Sequence, residues 1–217
     1  DAWSIKFDQD LGPPVIGTVT ENFDVDTGRF AGSGWRGGES YFGNWNDIQV
    51  VGGVACSRAF SGPTVDDNLI VRDTGSVNHF VEAVIYRSSP AYNAGVTHEI
   101  AIIVGVDGTE DFCQLLEFNW EHRANGFQPT KWNGDLGDVD TSFSMSGAGP
   151  GGIAADFDVL RVNRIGPNIS VLVNGAIVNT ITMNFYQTHT YAGIMFFDRD
   201  GATHANYGFR SVTVGPL

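Results

Sequence analysis

From Phe80 onward the chain alternates apolar and polar positions in short runs separated by turn residues. Phe80-Val-Glu-Ala-Val-Ile-Tyr86 and Glu99-Ile-Ala-Ile-Ile-Val-Gly-Val106 each read as a strand, the second turning at Asp107-Gly108. Phe112–Arg123 predicts a longer strand, and Asn125–Gly152, rich in Gly and Asp, a loop. Phe157–Asn163, Ile169–Val173, Ala176–Thr182, Tyr191–Asp198 and Phe209–Val214 continue the series. Asn174-Gly175, between two apolar alternations, is a strong hairpin signal because both turn positions need positive φ. No helical period persists beyond two turns. These elements predict an all-β sandwich of two antiparallel sheets packed face to face. The opening Asp1–Val19, with Gly12-Pro13-Pro14, reads as an extended arm, so the expected division is an arm over 1–19 and one domain over 20–217.

Composition supports the sheet reading: the 217 residues include 28 Gly and 15 Phe, and 17% are charged. The net charge of −13 would be repelled by a duplex or an anionic bilayer, so nucleic acid is excluded as a partner. No apolar run approaches the ~18 residues of a membrane span, which argues against membrane insertion. Cys56 and Cys113 both sit in strand-like apolar runs, where one disulfide or two buried thiols are open alternatives. Neither has metal-finger spacing. The chain opens at Asp1 without Met, which suggests a removed leader or a fragment and an extracellular, secreted or virion-surface location.

Two segments carry a resemblance. Phe157-Asp-Val-Leu-Arg-Val162 followed by Ile169-Ser-Val-Leu-Val-Asn-Gly-Ala-Ile-Val178, with the closing Gly193–Phe197 and Phe209–Val214, is similar to concanavalin-A-like and laminin-G-like domains. Glu21-Asn-Phe-Asp24, Gly34-Trp35, Trp45-Asn46 and Val50–Ala55 resemble the opening of such domains in phage tail or surface proteins and secreted bacterial glycan-binding modules. The resemblance implies a jelly roll whose last strand returns beside the first. It also implies a glycan or cell-surface polysaccharide as partner, and a virion or other protein partner for the arm.

The sharpest chemical candidate is Glu117-Phe-Asn-Trp-Glu121. Alternation places Glu117, Asn119 and Glu121 on one face and Phe118 and Trp120 on the other. The run resembles the Glu-x-Asp-x-Glu strand of family-sixteen glycoside hydrolases, which implies Glu117 as nucleophile and Glu121 as acid/base. Asn119 departs from that pattern, because an amide cannot hold a shared proton or supply charge. Sugar recognition needs flat apolar faces beside amides and carboxylates, and the ring candidates are Trp132, Tyr186 and Trp35, with Trp132 expected in a loop. One structural calcium is an expectation from two Asp-rich turns, Asp24-Val-Asp26 and Asp198-Arg-Asp200, and Asp135–Asp140 is a third such turn. The five histidines are scattered, and Gly147–Gly152 precedes a strand, so no triad or phosphate loop is supported. The leading reading is a non-enzymatic carbohydrate-binding or adhesion domain. The alternatives are a glycoside hydrolase using the glutamate pair and a structural virion protein.

Overall fold

The computed structural model describes residues 17–30, 34–37, 47–58, 67–88, 98–109, 112–121, 127–133, 155–198 and 205–217. Fourteen strands form over these residues: β1 Val19–Glu21, β2 Arg36–Gly37, β3 Gln49–Val51, β4 Val54–Cys56, β5 Asp67–Asp73, β6 His79–Arg87 and β7 His98–Thr109. They continue as β8 Phe112–Glu121, β9 Phe127–Asn133, β10 Val159–Ile165, β11 Asn168–Val173, β12 Ala176–Thr182, β13 Tyr191–Asp198 and β14 Tyr207–Pro216. They build an eight-stranded sheet, β12-β11-β10-β6-β14-β4-β3 with β1 also on β14, and a six-stranded sheet, β2-β5-β13-β7-β8-β9. Every pairing is antiparallel. The fold is the all-β sandwich that the alternation predicts, in the jelly-roll form that the resemblance implies.

The period-2 pattern accounts for the layering. In β10 the pattern puts Leu160 and Val162 inward and Arg161 and Asn163 toward solvent. Val81, Ala83 and Ile85 of β6 meet Ile100, Ile102, Val104, Leu116, Phe118, Ile194 and Phe196 of the other sheet in one inter-sheet core. Asn174 (φ 51°) and Gly175 (φ 79°) make the expected turn between β11 and β12. The last strand returns beside the first, Val214 opposite Val19. Val19 therefore already belongs to β1, and of the proposed arm residues 1–16 lie outside the described residues.

Two expectations are corrected, and one open alternative is decided for Cys56. Asp107-Gly108 does not end a strand: β7 runs through to Thr109, and the irregularity falls between Val104 and Asp107, where Gly105 has φ +62°. A bulge there uses the conformational freedom of glycine. Trp132 lies on β9 and not in a loop, because residues 127–133 pair with β8. Cys56 is a buried free thiol. Burial pushes its pKa up to about 12, against a smaller opposing effect of the Gln49 hydrogen bond, so it stays protonated and unreactive.

Candidate functional site

Among the described residues, the centre of the six-stranded sheet is buried on both faces. Opposite the inter-sheet core, Leu69, Val71, Ala101, Ile103, Val106, Leu115 and Met195 form a second apolar cluster with Tyr191 against it. An antiparallel sheet more commonly leaves one face to water. This outer face is where β8 turns its polar positions. Phe118 is in the inter-sheet core, so alternation sends Glu117 and Asn119 to the other side, beside Leu115.

The register sets the floor of the site. Glu117 stands opposite Ile103 of β7 and Thr130 of β9, and Asn119 opposite Ala101 and Gln128. Glu99 of β7 stands opposite Glu121 at the end of β8. Three polar side chains thus sit in an apolar surround, with exposures of 7% for Glu99, 2% for Glu117 and 6% for Asn119. The Asn119 Nδ2 donates to Glu99 Oε2 at 3.0 Å. That bond fixes the amide: its nitrogen is turned toward Glu99, and Oδ1 is buried with no hydrogen-bond partner. A buried, unmet acceptor costs on the order of 1–3 kcal/mol, which a donor from a ligand would recover. The expected face-sharing of Glu117 and Asn119 holds. Glu121 has its backbone in β8, and its side chain lies outside the described residues, as does that of Trp132, whose backbone is opposite Leu115.

The other ring candidates are elsewhere. Trp35 belongs to the inter-sheet core, so it closes the sandwich and lies away from the outer face that carries Glu117 and Asn119. Tyr186 stacks on His189, with centroids 5.5 Å apart and planes within 8°, and packs against the core near Gly105. Asp24 and Asp26 are exposed, and Asp26 Oδ1 accepts the Gly53 N–H at 3.2 Å, tying its turn to the β3–β4 hairpin. Asp198 ends β13, its side chain outside the described residues, and Asp200 and Asp135–Asp140 lie outside them altogether. Among the described residues no three His, Cys, Asp or Glu come together as a metal centre.

Glu99 escaped the sequence reading. Its signal is parity: in Glu99-Ile-Ala-Ile-Ile it shares a face with Ala101 and Ile103, but only the β7–β8 register brings it to Asn119.

No protein-family model matches the chain, and no curated protein matches it in sequence. Solved structures do match in shape. A prokaryotic β-1,3-1,4-glucanase (lichenase) derived from a mouse hindgut metagenome superimposes with a TM-score of 0.57 at 11% identity, over 92% of this chain and 99% of that one. A Bacillus licheniformis β-glucanase gives 0.55 at 13% identity, over 94% and 100%. The Crh5 transglycosylase gives 0.53 at 15% identity, over 95% and 88%. At these identities the likeness is one of fold, and the fold shared is the concanavalin-A-like jelly roll.

Proposed function

We propose that this chain is a carbohydrate-binding domain whose site is the outer face of the six-stranded sheet, around Glu117 and Asn119. One observation carries the reading: a fixed, buried amide with a free oxygen, set among carboxylates on an apolar floor. Apolar floors with a few converging acceptors suit sugars, which present C–H faces and hydroxyl donors together. Glu99 orients the Asn119 amide, and Asn119 Oδ1 and Glu117 accept hydrogen bonds from sugar hydroxyls. Trp132 on β9 and Glu121 complete the proposed contact row. The partner is an extracellular or cell-surface polysaccharide, which places the domain outside the cell.

A second reading, retaining glycoside hydrolysis, is favoured by the spacing of Glu117 and Glu121 on β8 and by the glucanases and transglycosylase of similar fold. Such chemistry needs the two carboxyls ~5 Å apart. Cα atoms four residues apart on a strand are ~13 Å from one another. Both side chains would have to lean together over the sugar. Asn119 also withholds the charge that would separate the two glutamates' proton affinities.

Retention in gels containing β-1,3-1,4-glucan, other plant and bacterial polysaccharides, or mucin, run beside a reducing-end assay, separates the two. Binding without new reducing ends is the expected result. Release of reducing ends that disappears in Glu117→Gln, with retention preserved, would establish the hydrolase instead. A wild type that no polysaccharide retards and that releases no reducing ends would contradict both.

A further inference from the structure

Among the described residues four that are not glycine have positive φ: Phe23 (51°), Phe157 (67°), Asn174 (51°) and Tyr186 (52°). For three of them the fold supplies a reason. Phe23 is 1% exposed in the core, Asn174 makes the β11–β12 hairpin turn, and Tyr186 lies flat on His189. Phe157 has no such return. The residue is 64% exposed, at a position that glycine or asparagine would fill with less strain. A bulky residue in the left-handed region and in water is a local cost that points to use of the ring.

The turn that presents it is tied down on all sides. Phe157 N donates to Ile85 O at 3.0 Å, and Ile85 N to Asp158 O at 2.9 Å. Ala155 N donates to Asp158 Oδ2 at 2.7 Å, and Arg87 N to Asp156 Oδ1 at 2.9 Å. Asn174 Nδ2 holds Asp158 Oδ1 at 2.8 Å. The Arg210 guanidinium lies 4.1 Å from the Phe157 ring centre and 4.6 Å from that of Tyr86, and pairs with both Asp156 oxygens at 3.0 and 3.1 Å. One face of the Phe157 ring is therefore backed by a cation, while the residue stays 64% exposed. Ile85 is in the core, so the alternation of β6 sends Tyr86 to the outer face of the eight-stranded sheet. This is the side of the sandwich away from Asn119.

We propose that Phe157, backed by Arg210 and rimmed by Asp156, is a second sugar-binding platform. The inference rests on the reading of the chain as a carbohydrate binder. The ring matches one pyranose face for C–H stacking, and Asp156, 35% exposed, supplies an acceptor at the rim. The turn itself offers one ring among Ala155, Asp156 and Asp158, not the several hundred Å² of apolar surface that a protein partner covers. A turn fixed before binding loses little entropy on contact with ligand. Two platforms on opposite sheets would let one domain bridge two stretches of polysaccharide.

The test is residue-resolved NMR of the whole chain, titrated with methyl glycosides of glucose, galactose, mannose and N-acetylglucosamine at millimolar concentration. Shifts are expected at the amides of 155–158 and at Arg210 Nε–H. In Phe157→Gly they should weaken about tenfold while the melting temperature holds or rises, because the strained residue has gone. Shifts confined to the Asn119 side-chain amide would overturn the platform and leave the first site standing. Shifts confined to 155–158 would uphold the platform and remove the first site. Shifts at 155–158 that persist in Phe157→Gly, or no shifts anywhere, would overturn the platform, and the last outcome would remove the carbohydrate reading with it.

Discussion

The Gly193→Ala variant is expected to lose about 4 kcal/mol or more, enough to leave little folded protein. Gly193 is on β13, the strand between β5 and β7, with Val71 opposite on one side and Ile103 on the other. A methyl group there would meet the Ile70 carbonyl oxygen at 1.9 Å and the Val71 Cα at 2.9 Å. Both are backbone, so no rotamer change relieves the clash, and the β13–β5 pairing must open. That pairing carries Ile70 and Ile194 into the core and Val71 into the floor of the proposed site. Gly28→Ala is the control, since nothing lies within 4 Å of its added carbon, and it should stay within about 0.5 kcal/mol of the wild type. Urea denaturation of the two variants checks this, and matching midpoints would contradict the packing described for β13.

Stability should also fall by about 3 kcal/mol between pH 6.5 and pH 4 through one histidine. His79 is fully buried, with Nδ1–H donating to Ser76 O at 2.9 Å and Nε2 accepting the Gly105 N–H at 3.3 Å. Both ring nitrogens are thereby committed to the neutral form. Burial lowers its pKa from 6.5 to about 4; the Ser76 carbonyl and Asp73 oppose the shift, and Arg164 adds to it. Arg164 is itself wholly buried, hydrogen-bonded to the Phe185 and Gly166 carbonyls, and lowered to about 10 by burial. His189 closes the same group by donating to Gly105 O at 3.3 Å. The folded pKa is the lower one, so between pH 6.5 and 4 the unfolded chain binds a proton that the folded chain refuses. Stability is complete above 6.5, declines through that window, and at about 1.4 kcal/mol per pH unit the total comes to about 3 kcal/mol. In His79→Gln the slope over that window should be shallower, though the variant starts from lower stability. Parallel pH profiles for wild type and variant would contradict the assignment.

The sandwich was legible because period-2 alternation is a local property. Glu99–Val106, Phe157–Asn163 and the Asn174-Gly175 turn each announce themselves without reference to anything distant. The same alternation placed Glu117 and Asn119 on one face. What it could not place depends on register and packing. Glu99 becomes part of the site only because β7 and β8 pair with Glu99 opposite Glu121. Trp35 is a ring that the sequence leaves open between platform and core, and only the stacking of two sheets assigns it to the core. The bulge at Gly105 breaks no sequence rule, since Gly inside a strand and Asp-Gly after it read as a turn. Phe157 reads in sequence as the start of a strand, and its left-handed backbone follows from a turn hydrogen-bonded to Ile85, which is distant in sequence.

The central claim is that Asn119 Oδ1 accepts a hydrogen bond from a bound sugar. Titration calorimetry with the polysaccharide most strongly retarded in the gels, on the wild type and on Asn119→Ala, tests it most directly. The account predicts at least about a tenfold loss of affinity in Asn119→Ala, because a hydrogen bond to the sugar worth about 1.4 kcal/mol is removed; loss of the Asn119–Glu99 bond also lowers the melting temperature, so the titration is run where the variant is folded. Wild-type affinity in Asn119→Ala would contradict it.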